Sequence, residues 1–493
     1  MSVRACRIAT GLLNCAGLST AGPFIRQRCS AVVRWSSSST SPSTSPSPSP
    51  LKARPVRRVV VTGLGLVTAL GVGAQRTWTR LLQGHSGVSA ITHADIVRLK
   101  LPSQVAACVP RGSADGAFDV ERMVPDSIRA HTAPFVHFAV VAAREALDTA
   151  GVLPLSSQDQ LRTGVAVGSG VGDVEATYRT GHDLFTAGYK RVSPYYIPRM
   201  LGNMAAAHIS MLHGLKGPNL AAATACTTGA HAIGDAFRSI QYGDADLMLA
   251  GGTEATINAI SMAGFCRLRA LSTAFNSSPA TAPRPFHADR DGFVIGEGAA
   301  VLCLEEYEHA MRRGATILAE ISGYGMSSDA HHITAPVPDG DGAYRCMSNA
   351  LRDAGLQPPD IDYINAHATS TPAGDIAECR AIHRLFSGVH AERPVSVSST
   401  KGALGHCLGA AGAIEAALCV LALRSQTVPG TLNLSLPRSS SSSSSSAAAA
   451  SAQAGVIDSD CIQLSEASSS DSSSPPARAS AATSLHFITA TAE

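Results

Sequence analysis

The sequence predicts an α/β fold in which helices cover a sheet on both faces. Between residues 57 and 437, short apolar segments of strand length alternate with longer segments of helical periodicity, which is the pattern of packed strand and helix layers. Of the 493 residues, 45% are hydrophobic but 5% are aromatic, and 44 are glycine. A core of small aliphatic side chains packed closely around glycine is therefore expected. The alternation occurs in two series, which raises the possibility of an internal duplication.

The first predicted strand covers residues 59–61 and leads into a tight turn at residues 62–65, which contain Gly63 and Gly65. A glycine pair after a strand also occurs in dinucleotide-binding turns, which need a third glycine and an acidic residue about 20 positions further on. Position 68 is Thr68, and no acidic residue precedes Asp95. These two absences exclude a dinucleotide-binding turn.

The next predicted element is a helix over residues 132–150. Thr132 is placed to cap it, Pro134 fits its first turn, and Gly151 ends it. Apolar residues at positions 136, 140, 143 and 147 form one face of this helix.

The remaining predicted elements follow from apolar runs and helical spacing. In the first series they are strands at 164–167, 220–225 and 247–250 and a helix at 227–242, with a Gly251-Gly252 turn after the last strand. In the second series they are strands at 317–321, 362–364 and 395–398 and helices at 375–386 and 410–423.

The two ends of the chain depart from this pattern. Residues 1–50 contain five arginines and no acidic residue, which is typical of an organelle transit peptide. After residue 437 the chain is rich in Ser and Ala, and we expect it to be disordered because such a composition buries little apolar surface. The predicted organisation is a transit peptide and Pro/Ser linker over 1–56, two halves of one unit over 57–310 and 311–437, and a low-complexity tail over 438–493.

Charge and cysteine content exclude several classes of protein. The formal net charge is +2 and no segment is dense in Lys and Arg, so nucleic acid is not an expected partner. The 12 cysteines form no Cys-x-x-Cys pair, which argues against a zinc knuckle or a disulfide framework. No apolar run reaches the roughly 18–20 residues that cross a bilayer, so no transmembrane segment is expected.

Cys226 differs from the other cysteines because it lies where a predicted strand turns into a helix. A helix N-terminus carries partial positive charge and unpaired N–H groups, which stabilise a thiolate and an oxyanion beside it. Cys226 is therefore a candidate nucleophile, and a buried structural cysteine is the alternative interpretation.

Two histidines occupy similar places in the second series. His367 follows the strand at 362–364, and His406 precedes the helix at 410–423. Catalytic groups gather at the carboxyl ends of strands in α/β folds, so both histidines are candidates. Lys401 and Glu415 are possible partners of each other, because an acid in an apolar helix needs an opposite charge if it is buried.

Several separated motifs together resemble one family. They are Val-Val-Val-Thr-Gly-Leu-Gly at 59–65, Gly-Pro at 217–218, Thr-Ala-Cys-Thr-Thr-Gly at 224–229, Asp-Arg-Asp-Gly-Phe-Val at 289–294, Asn-Ala-His at 365–367, and Ser-Thr-Lys with Gly-His between 399 and 406. In this order and spacing they resemble the elongating 3-oxoacyl-[acyl-carrier-protein] synthases, and most of all their mitochondrial form.

The resemblance implies a thiolase-like fold, in which two similar halves give a five-layered α-β-α-β-α arrangement. It also implies a homodimer in the mitochondrial matrix, with acyl carrier protein as its partner. The residues that the resemblance assigns to the site are Cys226 as the nucleophile, His367 and His406 as the paired histidines, Lys401 and Glu415 as their supporting pair, and Thr369 and Thr371 at the phosphopantetheine arm.

The implied reaction is a decarboxylative condensation that elongates an acyl chain held on Cys226 by two carbons, taken from malonyl carrier protein. A thiolase would carry a second cysteine at the position of His406, and an initiating condensing enzyme an asparagine, so the Cys-His-His set favours elongation. The resemblance implies no metal and no cofactor, because phosphopantetheine arrives on the carrier protein.

The C-terminal residues depart from the family pattern. The family closes with a Gly- and Phe-rich loop that provides a second oxyanion N–H, whereas residues 438–493 are rich in serine and alanine. Loss of one oxyanion donor costs about 10²–10³ in rate. The second hypothesis is therefore an inactive variant that binds acyl carrier protein or an active subunit without catalysis.

Overall fold

The computed structural model describes residues 56–387 and 395–434, together with the backbone of Ser484 and Leu485. The predicted transit peptide lies outside these residues, and so does the predicted low-complexity tail apart from Ser484 and Leu485. These two residues form a short strand where the sequence predicts no ordered element.

The strands of the described residues are mostly short, and three of them exceed six residues. They are β1 (Val59–Thr68), β2 (Gly71–Val72), β3 (Ser89–Ala90), β4 (Val105–Ala106), β5 (Thr163–Gly168), β6 (Asn219–Leu220), β7 (Leu247–Glu254), β8 (Gly298–Glu306), β9 (Ala319–Ile321), β10 (Tyr363–Asn365), β11 (Ser396–Ser398) and β12 (Ser484–Leu485).

The α-helices are α1 (Ala74–Leu82), α2 (Ala94–Arg98), α3 (Val120–Met123), α4 (Asp126–Arg129), α5 (Pro134–Ala150), α6 (Ser157–Arg162), α7 (Val174–Ala187), α8 (Tyr196–Met200), α9 (Met204–His213), α10 (Thr228–Gln241), α11 (Ala259–Leu268), α12 (Tyr307–Arg312), α13 (Asp341–Ala354), α14 (Pro372–Phe386), α15 (Lys401–Leu404) and α16 (Ala411–Ser425). Short 3₁₀-helices lie at Tyr189–Arg191, Ala225–Thr227, Pro279–Thr281, Pro358–Asp360 and Leu408–Ala410.

One mixed sheet organises the molecule. Its strand order is β12-β9-β1-β8-β7-β5-β6, and β2 pairs with β1 at its margin. β1 pairs antiparallel with β8 and β9, whereas β5 pairs parallel with β6 and β7. β10 and β11 form a separate parallel pair, and β3 and β4 a separate antiparallel one.

Helices cover both faces of the large sheet. α5 and α9 pack with one hydrophobic cluster, and α10 and α16 with the other. Tyr363 of β10 packs against the second of these clusters, and α13 and α14 cover β10 and β11 from outside. The predicted α-β-α-β-α arrangement is therefore present, and the described residues supply two strands to its second sheet.

The large sheet separates the two hydrophobic clusters, because successive side chains of a strand point to opposite faces of the sheet. In β8, Leu302 and Leu304 face the cluster of α10 and α16, whereas Val301 and Cys303 face the cluster of α5 and α9. Trp78 of α1 joins the cluster of α10 and α16 and is 4% exposed.

The glycines predicted to form turns lie inside strands. A Cβ on Gly63 would stand 2.1 Å from the carbonyl oxygen of Ala146 in α5, and one on Gly65 would stand 2.0 Å from another carbonyl oxygen of that helix. Gly251 and Gly252 likewise continue β7. Both predicted turns are wrong, because these glycines serve the close approach of neighbouring backbone rather than a change of direction.

Two further predictions differ from the structure. α5 begins at Pro134, and Thr132 does not cap it, because the Thr132 hydroxyl donates to the carbonyl oxygen of Ile128 at 2.7 Å. Gly151 ends the helix with φ 63°, as predicted. The strand predicted over 220–225 is wrong beyond Leu220, because the chain enters the 3₁₀-helix Ala225–Thr227 instead.

The two central helices cross at reciprocal small residues. A Cβ on Gly229 of α10 would lie 2.9 Å from the backbone nitrogen of Ala413, and one on Gly412 of α16 would lie 3.1 Å from that of Ala230. This reciprocity is what an internal duplication would produce, and it brings the N-termini of both helices together.

Among the described residues, one helical segment is long and apolar enough, by length and composition alone, to cross a membrane. It is Leu408–Ser425, which includes α16, and 61% of it is buried inside the protein. Its place in the central layer accounts for its apolar composition.

Candidate active site

Cys226 lies in the 3₁₀-helix that leads into α10. The preceding residue, Ala225, has φ 47°, a left-handed conformation that is unfavourable for a residue with a side chain. The Thr224 N–H donates to the Thr228 hydroxyl at 2.8 Å, which ties the turn to the first residue of α10. Cys226 is half-buried at the positive end of this helix, where negative charge on sulfur is stabilised.

His406 stands directly opposite the thiol. Its Nε2 is 2.9 Å from Cys226 Sγ, and the residue is 2% exposed. The backbone of His406 is held on both sides. Its backbone N–H donates to the Val294 carbonyl oxygen at 2.7 Å, and its backbone carbonyl oxygen accepts from the Gly296 N–H at 2.8 Å. The ring also packs edge-on against Phe293, with the two centroids 5.2 Å apart.

His367 completes a group of three. Its ring is perpendicular to that of His406, with centroids 5.3 Å apart and an interplanar angle of 86°. The backbone N–H groups of His367 and Ala368 donate to the two carboxylate oxygens of Glu378, at 2.7 and 2.6 Å. Glu378 therefore fixes the backbone that carries the His367 ring.

Lys401 determines which nitrogen of His367 carries the proton. Lys401 Nζ lies 3.4 Å from His367 Nδ1. Because an ammonium group can only donate, Nδ1 is the acceptor, and the ring N–H of neutral His367 is on Nε2. Lys401 is 4% exposed and forms an ion pair with Glu415.

Burial dominates the electrostatics of the site. It lowers the pKa of His367 and His406 well below 6.5, and the positive charge of Lys401 lowers both further. Both rings are therefore neutral at pH 7. Burial raises the pKa of Glu415 to about 7, against the opposing effect of Lys401.

Thr369 and Thr371 lie on the loop between β10 and α14, close to His367 in the chain. Their hydroxyl oxygens are 3.0 Å apart. The loop is held from below by Asp375, whose carboxylate accepts from the Phe286 N–H at 2.9 Å and from the Thr371 N–H at 3.3 Å.

The structure thus brings five of the predicted residues together, and it places Thr369 and Thr371 on the loop that follows His367. The five are Cys226, His367, His406, Lys401 and Glu415. It also adds three carboxylates that the sequence did not single out. Glu378, Asp375 and Glu254 are buried, and each accepts backbone N–H groups from loops of the site. In the sequence, each of these residues is an acid within an apolar segment. That pattern predicts a buried carboxylate, but it does not identify the N–H groups that donate to it.

The ligand atoms of Cys226, His367 and His406 lie within 4.8 Å of one another, a spacing that a metal centre could also have. A thiolate and two imidazoles are typical zinc ligands. However, Nδ1 of His367 accepts from the Lys401 ammonium, so Nε2 holds a proton and lacks the lone pair that a metal requires. The chemistry of the group favours proton transfer over metal binding.

Comparison with known proteins identifies the family of this chain. Residues 56–310 match the family "Beta-ketoacyl synthase, N-terminal domain", and residues 318–435 match "Beta-ketoacyl synthase, C-terminal domain". The chain is 52% identical over 394 residues to the mitochondrial 3-oxoacyl-[acyl-carrier-protein] synthase of Arabidopsis thaliana, covering 77% of this chain and 85% of that protein. It is 47% identical to a putative mitochondrial 3-oxoacyl-[acyl-carrier-protein] synthase of Schizosaccharomyces pombe, covering 77% of this chain and 89% of that protein.

Two solved structures have the same fold. A β-ketoacyl synthase from Burkholderia phymatum superimposes with a TM-score of 0.69 at 38% identity, covering 77% of this chain and 89% of the other. A type II polyketide ketosynthase, in complex with its acyl-carrier protein and bound to the hexaketide, superimposes with a TM-score of 0.69 at 32% identity, covering 82% of this chain and 90% of the other. The resemblance inferred from the motifs is confirmed, and the chain belongs to the β-ketoacyl synthase family.

Proposed function

We propose that this protein elongates acyl chains by decarboxylative condensation with malonyl-[acyl-carrier-protein] in mitochondrial fatty acid synthesis. The observation that carries the proposal is the contact between Cys226 Sγ and His406 Nε2 at 2.9 Å, with the ring of His367 beside it. A thiol that faces an imidazole at a helix N-terminus is an activated nucleophile.

The first step is acyl transfer. Cys226 Sγ attacks the carbonyl carbon of the acyl thioester, and His406 Nε2 accepts the thiol proton. The new S–C bond forms as the bond to the phosphopantetheine sulfur breaks, and that sulfur leaves with the proton returned by His406. The N-terminus of α10 stabilises the negative charge on Cys226 and on the tetrahedral oxyanion.

The second step is decarboxylation of malonyl carrier protein. The bond to the malonyl carboxylate breaks, carbon dioxide leaves, and the electron pair moves onto the thioester oxygen as an enolate. The Nε2–H of His367 donates to this oxygen, and His406 provides the second donor. Within the described residues Nδ1 of His406 makes no hydrogen bond, so the ring can carry its proton on either nitrogen.

The third step forms the carbon–carbon bond. The enolate carbon attacks the carbonyl carbon of the acyl-Cys226 thioester, and the Cys226 sulfur leaves as thiolate. The product is a 3-oxoacyl chain on the carrier protein, longer by two carbons. Thr369 and Thr371, on the same loop as His367, would hold the phosphopantetheine arm that delivers both substrates.

The relatives support the proposed carrier-protein partner and the proposed location. A structural neighbour contains a ketosynthase with its acyl-carrier protein, which supports acyl carrier protein as the partner here. The relatives from Arabidopsis thaliana and Schizosaccharomyces pombe are named mitochondrial, and we place this protein in the mitochondrial matrix.

A homodimer is proposed because both residues of β6, at the edge of the large sheet, are exposed in one chain. We also propose that the two halves of the unit meet near residue 310.

The proposal is tested by separating its two stages. Purified protein is incubated with an acyl-carrier-protein thioester, and the acyl group is mapped by mass spectrometry. Wild type should carry it on Cys226, Cys226→Ser should carry none, and His406→Ala should be acylated more slowly yet form no condensation product. A folded wild-type sample without an acyl group on Cys226 would refute the enzyme hypothesis and favour the binding-only alternative. At present the relatives, which are named as synthases, do not favour that alternative.

A further inference from the structure

A fully buried carboxylate lies beneath the site. Glu254, the last residue of β7, is 0% exposed. Its Oε1 accepts from the Ser169 hydroxyl at 2.8 Å, and its Oε2 accepts from the N–H groups of Gly170 and Gly409 at 3.0 and 3.1 Å. One side chain therefore joins the loop after β5 to the 3₁₀-helix that follows His406.

The same carboxylate also reaches the turn of Cys226 through Gly170. A Cβ on Gly170 would lie 3.1 Å from the carbonyl oxygen of Ala225, and one on Gly409 would lie 2.4 Å from the Gly170 nitrogen. The turn that precedes Cys226, the Gly170 backbone and the turn that follows His406 are thus stacked without space between them. Glu254 holds two of these three layers by direct hydrogen bonds.

Backbone strain lies on both sides of this contact. Ala225 has φ 47° and Leu408 has φ 46°, and neither is glycine. Such conformations persist where surrounding structure enforces them, and they gather at functional sites. Each strained residue lies within two positions of the cysteine or the histidine whose side chains meet at 2.9 Å.

We propose that Glu254 is a positioning residue, which sets the distance between Cys226 and His406. It does so by holding Gly409, in the turn that follows His406, and Gly170, against which the turn of Cys226 packs. This inference rests on the proposed function, in which His406 accepts the Cys226 proton. Glu254 touches neither substrate nor the reacting atoms. It acts through Gly170 and Gly409. The role therefore requires a side chain long enough for one carboxylate to accept from both backbone N–H groups.

Two variants separate reach from charge. Glu254→Gln keeps the length of the side chain and one acceptor oxygen, but it loses the charge. Glu254→Asp keeps the charge but withdraws the carboxylate by one methylene, so that it no longer reaches both N–H groups. A positioning role predicts that Gln retains more function than Asp, whereas a purely electrostatic role predicts the reverse.

The measurement is the rate at which iodoacetamide alkylates Cys226, followed by peptide mass. It reports the Cys226–His406 contact without any carrier protein. We expect Glu254→Asp to slow alkylation roughly ten- to hundredfold, since a misplacement of about 1 Å can cost that much, with Glu254→Gln between Asp and wild type. In a His406→Ala background, Glu254→Asp should slow alkylation no further, because the partner that it positions is gone.

The matched control is Glu145→Asp. Glu145 of α5 also accepts two backbone N–H groups, from Leu66 at 2.9 Å and from Ala74 at 2.7 Å, but on the opposite face of the sheet. It should lower stability without changing the alkylation rate of the folded protein. If Glu254→Asp alkylates as fast as Glu145→Asp, or if Asp retains more function than Gln, the positioning role is wrong. If wild-type Cys226 is alkylated but never acylated by carrier protein, the proposed function fails separately.

Discussion

The two histidines of the site have the same ring but different neighbours. Lys401 Nζ faces His367 Nδ1, so His367 is held as an Nε2–H donor. His406 instead presents Nε2 to Cys226 Sγ, and its Nδ1 has no hydrogen-bond partner among the described residues. His367 is thus suited to stabilising an enolate, and His406 to exchanging a proton with the thiol.

Removal of the Lys401 charge should affect the two chemical steps unequally. In Lys401→Met the His367 ring loses the contact that fixes its tautomer, so malonyl decarboxylation should fall by about 10²–10³, the usual cost of one oxyanion donor. Acylation of Cys226 should fall much less. Carbon dioxide release and acyl-adduct mass measure the two steps.

The control for this variant is Lys401→Met with Glu415→Gln. Breaking a buried ion pair leaves an uncompensated charge and is destabilising by about 3–5 kcal/mol, and the second substitution removes that charge. The double variant should recover thermal stability but not decarboxylation. Recovery of both would show that Lys401 acts through folding alone.

His137 of α5 gives a prediction on the pH dependence of stability. Burial lowers its pKa from 6.5 to about 4, and the charges of Arg199 and Arg111 contribute. Between pH 4 and 6.5 the unfolded chain binds more protons at His137 than the folded chain does, so the free energy of unfolding rises with pH across that range. Above pH 6.5 the imidazole is neutral in both states, and His137 adds no further pH dependence. Relative to His137→Leu, the free energy of unfolding of wild type should fall by up to about 1.4 kcal/mol per pH unit on acidification.

Chemical denaturation at several pH values checks this prediction. Above pH 7 the difference between wild type and His137→Leu should be constant, because the imidazole is neutral in both states. A difference that stays constant down to pH 4.5 would contradict a lowered pKa.

At the scale of elements, the close contact of α10 and α16 depends on missing side chains. A methyl group on Gly229 would lie 2.8 Å from Ala413 Cβ and 2.9 Å from the Ala413 backbone nitrogen. These distances are too short, and because Ala413 belongs to α16, they can lengthen only if that helix moves. Gly229→Ala should therefore destabilise the protein by about 1–3 kcal/mol, the usual range for overpacking. It should also slow acylation, because both helix N-termini carry the site.

Gly181→Ala is the matched control for that substitution. Gly181 lies within α7, and a Cβ there meets nothing within 4 Å. Alanine at an unstrained helical position should stabilise by about 0.5–1 kcal/mol. Urea unfolding of both variants decides the prediction. A Gly229→Ala variant that is at least as stable as wild type would contradict the packing argument.

Other glycines, in the strands of the large sheet, show what the sequence could and could not predict. The spacing of apolar residues predicted α5 and α10 well, because an amphipathic stripe is a local property. The apolar run at 410–423 predicted α16, which is apolar on all sides. Gly63 and Gly251 were assigned to turns, yet they lie in strands. A glycine permits either a turn or a close approach, and the second depends on a helix that is distant in the chain.

At the scale of the whole molecule, the site lies where the two series meet. Cys226 comes from the first series and His367 and His406 from the second, and the crossing of α10 and α16 joins them. The sequence motifs indicated these three residues, but not their distances. Glu254 and Glu378 were not predicted, because their partners are defined by topology rather than by spacing.

The exposed edge of the large sheet gives a prediction on assembly. Leu220 of β6 is 38% exposed, and an unpaired edge strand is a template for association. In the proposed homodimer a second copy covers this edge, so Leu220→Lys should shift the protein from dimer to monomer. Light scattering after size exclusion measures the mass, and a monomeric wild type at micromolar concentration would refute the dimer.

The chain has two tryptophans, and one of them is Trp78. The other, Trp35, belongs to the predicted transit peptide, so the imported protein would keep a single indole. Because Trp78 packs in the cluster shared by the large sheet and the two central helices, its fluorescence reports on that cluster alone. A red shift of emission would mark the moment at which water enters this cluster. The scarcity of aromatic residues thereby gives this protein an intrinsic spectroscopic probe, placed by the fold itself and free of interference from other indoles.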